Sequence, residues 1–306
     1  MSAVAESLTQ TDAGSTPRRR PLSHTVVAWL FLAPALLLLA LFSFWPVIWG
    51  GVLAFTEYKI ITPPTWVGLR NFEDLVEDPV FWISLKNSLL YLLIVPLIQL
   101  GAILLAVLVN NRLPGVRIFR TAFYLPVVTS VSVVGLMWGW MYNEQGLING
   151  VLQWARVINE PIGWLSDDRL ALYSVMFVTM WRGLGWYMVM YLAALQSIPA
   201  EVEEAAVLDG ATPWQRFWRI TLPMIAPTIA LCSVMSTLSA MKVLEEVLIL
   251  TQGGPVSSTF TGLYYAYDQG IRAFNFPRAL AASLVVSVFC IAIAWLNFRL
   301  AKARHR

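Results

Sequence analysis

The chain has 306 residues, 58% of them hydrophobic and 13% charged, with a net charge of +3 and a mean hydropathy of +0.65. A balance this apolar excludes an ordinary soluble domain, and the small net charge matters less than where it falls along the chain. The two cysteines, Cys232 and Cys290, both sit in apolar runs, so they read as packing residues and make neither a disulfide framework nor a metal site.

Residues 1–24 are polar, rich in Ser and Thr, and carry Arg18-Arg19-Arg20. This composition reads as a disordered tail. A cleaved signal peptide would place its apolar core nearer the start. The first apolar run, 25–50, is long enough to span a bilayer and reads as a retained anchor. Further spans are predicted at 82–109, 119–142, 170–195, 223–249 and 278–299, each near the ~20 residues that ~30 Å of hydrocarbon requires. The expected fold class is therefore an all-α membrane protein with six transmembrane helices, which puts both termini on one side. Twelve of the 21 Lys and Arg residues fall on that side, in the N-terminal tail, around Arg112, Arg117 and Arg120, at Arg216 and Arg219, and in the basic tail 300–306 with the adjoining Arg299. By the positive-inside rule that side is cytoplasmic. On the opposite side, Trp66, Phe72, Trp82, Trp138, Trp140, Trp154 and Trp164 cluster near span ends and read as an interfacial aromatic belt.

The longest strongly polar segment in the second half of the chain is 199–223, between two apolar spans. Pro199 suits a helix start, and Glu201, Glu203 and Glu204 favour the positive end of the helix dipole. Val202, Ala205, Ala206 and Asp209 recur at helical spacing, forming a narrow face of mostly small residues. Gly210 suits the left-handed turn that ends a helix. Thr212-Pro213-Trp214-Gln215 then predicts a new start, with Thr212 as N-cap and Gln215 closing a capping box. The reading is two short helices forming a rigid knob on the cytoplasmic side.

Charges inside the spans are costly in hydrocarbon and mark a cavity or a partner. Arg182 lies in the fourth span beside Trp181, Gly183 and Gly185, with Trp186 and Tyr187 close by. Lys242, Glu245 and Glu246 lie in the fifth, where helical spacing would let Lys242 pair with both glutamates. Two readings stay open: an ion cluster that only joins helices, or a polar lining of a translocation path. Gly183 and Gly185 either loosen the fourth helix or permit close packing.

The pattern Glu204-Ala205-Ala206, three residues, Gly210, nine residues, Ile220-x-Leu222-Pro223 resembles the signature of the membrane subunits of binding-protein-dependent ABC importers. Every fixed position matches. Arg120 to Pro126, Phe72 to Leu75 and Gly146 to Asn149 resemble segments of the carbohydrate-type members, such as the maltose and glycerol-phosphate permeases. Thr251-Gln252-Gly253-Gly254-Pro255 resembles a marker of one of the two permease types that pair in those systems. The resemblance runs from about Trp29 to Leu300, without the large periplasmic insertion of some relatives. It implies the type I ABC importer architecture, with a permease core at 82–299 preceded by 25–81, the first transmembrane helix plus an external loop. It also implies a second homologous permease, two ATPase subunits that hold ATP and Mg, an extracytoplasmic binding protein and a carbohydrate cargo, in the inner or plasma membrane of a prokaryote.

In that family the segment holding Glu204, Ala205, Ala206, Asp209, Gly210, Ile220, Leu222 and Pro223 docks on the ATPase. Relatives often carry an acidic residue where Glu245 stands. In the path reading, Trp181, Trp186 and Tyr187 offer stacking faces to sugar rings. The chain lacks a G-x-x-x-x-G-K-[ST] loop, its only histidines are His24 and His305 at the two ends, and no catalytic set is visible. It is therefore expected not to be an enzyme and to bind no cofactor, metal or nucleic acid of its own. An ion-coupled secondary transporter or channel is the alternative. It would use the mid-membrane charges, leave the polar segment without a task, and gain from internal repeats, of which none is convincing.

Overall fold

A computed structural model describes residues 24–59, 61–110 and 115–303. Of the described residues, those up to Trp49 form one compact unit and those from Gly50 onward another. The tail containing Arg18, Arg19 and Arg20, together with Arg112, Arg304, His305 and Arg306, lies outside the described residues.

The first apolar run is a helix, α1 (His24–Leu39), continued through a π turn at Ala40–Phe44 into α2 (Trp45–Leu53). The π turn sits just before Pro46, whose missing N–H removes one bond of the helical ladder. An antiparallel hairpin follows, β1 (Thr56–Lys59) and β2 (Thr62–Trp66), which departs from the all-helical expectation. Next come α3 (Arg70–Val76), then α4 (Pro79–Leu90) and α5 (Ile94–Asn110) in one long apolar stretch. The 3₁₀ turn at Tyr91–Leu93 lies where the ring of Pro96 would crowd the Leu92 carbonyl.

The predicted third span is two helices, α6 (Val116–Val128) and α7 (Val131–Met141), bent by 103°. This corrects the continuous helix expected over 119–142. Pro126 removes a backbone donor, Thr129 and Ser130 are extended (ψ 137° and 138°), and the Thr129 hydroxyl donates to the Leu125 carbonyl at 2.8 Å. External α8 (Leu147–Trp154) is held by fully buried Asn149, whose amide donates to the Ile162 carbonyl at 2.9 Å and accepts from Ile162 N and Trp164 Nε1.

Helix α9 (Ala171–Gln196) is the centre of the core, packed along α5 and touching α6, α13 (Ala226–Met241) and α14 (Glu245–Leu250). Among the described residues four helices are long and apolar enough to cross a membrane, five if the bent pair is one span, and α9 is not among them. Its 26 residues reach about 39 Å, but Arg182, two glycines and several polar aromatics lower its hydropathy. Twelve of its 26 residues are buried against the rest of the fold. It runs unbroken through both glycines, so Gly185 serves close packing. A Cβ there would lie 2.0 Å from the Phe123 carbonyl oxygen of α6, whereas at Gly183 it would meet only the tip of Ile98 at 3.3 Å. Gly185→Ala is expected to force α6 outward and destabilise the chain by about 1–3 kcal/mol, with Gly183→Ala much milder. Thermal unfolding in detergent reads this, and equal effects at the two sites would contradict it.

Then come α10 (Ala200–Leu208), α11 (Pro213–Arg216), α12 (Leu222–Met224), α13 (Ala226–Met241), α14 (Glu245–Leu250), α15 (Gly262–Tyr267) and α16 (Phe276–Ala303). Polar ties cross the helical core. The amide of Gln99 on α5 donates to Ser236 Oγ at 2.7 Å and to the Cys232 carbonyl at 3.1 Å on α13, and it accepts from the Tyr191 hydroxyl of α9. Both cysteines are buried and free.

At the other end of these helices, Asp78 caps α4 and pairs with Arg278 of α16 at 2.7 Å. The Tyr265 hydroxyl donates to the same Asp78 oxygen at 2.6 Å. Burial first, and then this bond to the carboxylate, push that hydroxyl above the ordinary tyrosine range, so it stays a donor.

Candidate functional site

Two features stand out, an open cavity in the helical core where charged and apolar side chains meet, and the capped segment at 199–223. The cavity has a volume of about 670 Å³. Helix α9 presents Thr179, Arg182, Gly183, Trp186 and Tyr187 to it, spaced i, i+3, i+4, i+7 and i+8 along one helical face. Helix α13 adds Ser236 and Ser239, and the stretch after it adds Lys242, Glu245 and Glu246. Six of the seven path candidates therefore meet in one cavity.

The seventh does not. Trp181 packs edge-on against Trp138, with ring centroids 5.4 Å apart, in a cluster with Val134, Tyr142 and Val178. Residue 181 lies on the opposite flank of α9 from 183 and 187, so it fills core rather than cavity. Trp138 itself is buried at 6% exposure, which removes it from the aromatic belt, whereas Trp66, Trp82, Trp140 and Trp154 are exposed.

The charge pairing also differs from the helical expectation. Helix α13 stops at Met241, Lys242 to Leu244 leave the helix, and α14 restarts at Glu245. The break is held from outside, because the hydroxyl of fully buried Thr261 donates to the Val243 carbonyl at 2.6 Å. Lys242 therefore loses the i,i+3 and i,i+4 geometry toward Glu245 and Glu246, and no ion pair involving it occurs among the described residues. Glu246 instead pairs with Arg182 of α9, Oε1 to Nη1 at 3.1 Å, and is 9% exposed. Lys242 and Glu245 are exposed on the cavity wall. Thr179, Ser236 and Ser239 were not singled out from the sequence. The signal for Thr179 was available in its spacing from Arg182 and Trp186.

The second feature is built by local chemistry. Pro199 is the N-cap of α10, one position earlier than the first-turn site expected. The helix ends at Leu208, and Gly210 takes φ +74°. Gly210 N donates to the Val207 carbonyl and Ala211 N to the Ala206 carbonyl, both at 3.0 Å, which is the paired bonding of a Schellman cap. A Cβ on Gly210 would meet nothing within 4 Å, so only the backbone conformation calls for glycine there.

Thr212 then starts α11 with a capping box. Gln215 N donates to Thr212 Oγ1 at 3.3 Å, and Thr212 N donates to Gln215 Oε1 at 2.9 Å. From Pro213 the chain stays helical through a π turn at Phe217–Thr221 to Met224, carrying Ile220, Leu222 and Pro223. Ala206 is buried and anchors α10, while Glu204, Ala205 and Asp209 are exposed. Leu208 is 87% exposed, an apolar side chain left projecting beside acidic ones.

A helical core with membrane-length apolar helices, an open cleft lined by four charged residues and a capped polar segment between α9 and α13 is the arrangement of a multi-pass membrane transport component. Residues 79–306 match the family described as binding-protein-dependent transport system inner membrane component, and the chain belongs to it. It is 34% identical over 287 residues to the lactose transport system permease protein LacF of Rhizobium radiobacter, covering 92% of this chain and 96% of that protein. Among solved structures it superimposes with a TM-score of 0.80 on a chain of a bacterial alginate ABC transporter in complex with an alginate pentasaccharide-bound periplasmic protein, at 25% identity over 91% of this chain and 94% of that one. A second structure, of a bacterial ABC transporter importing the acidic polysaccharide alginate, gives a TM-score of 0.77 at 25% identity over 91% and 96% of the two chains. The fold is that of a type I ABC importer permease.

Proposed function

We propose that this chain forms half of the translocation path of an ATP-driven importer for a carbohydrate. The carbohydrate class is supported by the relatives named for lactose and alginate transport. In this reading an extracytoplasmic binding protein delivers the sugar, and a second homologous permease completes the path. Two partner ATPases bind ATP and Mg and carry out hydrolysis. The chain crosses the inner membrane six times, with α9 as a shielded span and the bent α6–α7 pair as one. Both termini are cytoplasmic, following the Lys and Arg bias. The permease core is 82–299, and the basic tail 300–306 stays on the cytoplasmic side.

The observation that carries the reading is α10. It is a short helix locked at its C-terminal end by Gly210, anchored by Ala206, and exposed along Glu204, Leu208 and Asp209. A rigid knob of this kind transmits motion, whereas a flexible loop would absorb it. As the ATPases close on ATP, α10 and the following 212–223 stretch move with them and switch the cavity lined by Arg182, Trp186, Tyr187, Lys242, Glu245 and Glu246 between the two sides.

A mild-detergent pulldown of the tagged chain from its native membrane tests this. Mass spectrometry is expected to find an ATPase subunit and a second permease, with the ATPase lost when Glu204 and Gly210 are both replaced. A solitary chain that transports in liposomes without ATP and collapses with an ion gradient would instead establish the secondary-transporter reading.

A further inference from the structure

We propose that this half of the path selects uncharged saccharides over uronates and sugar phosphates. The inference rests on the reading of the cavity as part of a sugar path. Of the residues lining it, four carry formal charge, Arg182 and Lys242 against Glu245 and Glu246, so the charges cancel. They also differ in availability. The charge of Arg182 is paired with Glu246 through one contact at 3.1 Å, whereas Lys242 and Glu245 have no ion-pair partner among the described residues. That leaves one exposed ammonium, Lys242, and one exposed carboxylate, Glu245.

A carboxylate or phosphate drawn from water into this space would find a single free cation and a free anion on the same wall. Desolvating a charge is repaid only when a counter-charge and further hydrogen bonds replace its water. A neutral sugar has no such requirement. Each hydroxyl both donates and accepts, so the lysine, the glutamate and the exposed hydroxyl of Ser239 suit it together. Trp186, 45% exposed at the cavity, offers an apolar ring to a sugar face. The solved neighbour that imports an acidic polysaccharide makes this a distinction within one fold.

The test uses the complete transporter, this chain with its co-purified permease and ATPases, in nanodiscs. Calorimetric titrations compare neutral tetrasaccharides of glucose, galactose and mannose with the same backbones oxidised to carboxylate at every C6. For each backbone that binds, the neutral member is expected to bind at least tenfold more tightly. Glu245→Lys, which leaves the wall with excess positive charge, is expected to narrow that ratio to threefold or less. A uronate that binds as tightly as its neutral counterpart overturns the proposal, as does an absence of binding by every neutral member or a ratio unmoved by Glu245→Lys. The importer reading is scored separately by whether ATPase subunits co-purify, so either can fail while the other stands.

Discussion

Glu246→Ala is expected to lower the unfolding temperature of the detergent-solubilised protein more than any other single change on the cavity wall. The substitution leaves the Arg182 guanidinium in the helical core without its carboxylate. Removing one partner of a buried pair costs about 3–5 kcal/mol, and access of water from the cavity places this case near the lower end. The loss comes from the stranded charge rather than from the worth of the pair. The double replacement Arg182→Gln with Glu246→Gln should therefore recover most of the stability that Glu246→Ala removes. If the double variant is no more stable than Glu246→Ala, the ion pair does not join α9 to α14 as described.

Gly210→Val is expected to abolish transport while leaving the chain folded. At φ +74° a β-branched residue is strained, and the left-handed region costs an L-residue roughly 1–2 kcal/mol. No atom lies within 4 Å of the added Cβ, so the strain stays in the cap rather than spreading into the core. The two cap bonds from Gly210 and Ala211 loosen, and α10 loses its fixed end. In proteoliposomes containing the complete transporter, substrate-stimulated ATP hydrolysis and uptake should fall at least tenfold, with Gly210→Asn retaining more of both because asparagine tolerates this conformation. Wild-type uptake by Gly210→Val would remove the coupling role from this helix.

The difference between what was and was not legible in the sequence lies in range. The 199–223 segment was readable because its determinants are neighbours: a left-handed glycine two positions past the helix, and a Thr-Pro-x-Gln box that closes on itself. The long apolar helices were readable because lipid imposes length and composition residue by residue. Even there, Thr129 and Ser130 turned one predicted helix into two, since Pro126 says only that a ladder bond is missing and not how far the chain will turn.

What tertiary structure decided is who meets whom. Lys242 stands within a helical turn of two glutamates in the sequence, yet Thr261, eighteen residues beyond Val243, takes the carbonyl that opens the helix there. Glu246 then finds its partner 64 residues away on α9. Trp181 and Trp186 look equivalent along the chain, but one faces Trp138 and the other the cavity. By itself the sequence determined composition, the long apolar helices near the two ends of the chain and at 79–110, and the caps of the 199–223 segment, because each follows from short-range sterics, backbone hydrogen bonding or transfer into lipid. The cavity and the pairing of its charges were decided only by packing, because the energies of burying a charge or a ring depend on neighbours that the chain brings in from far along its length.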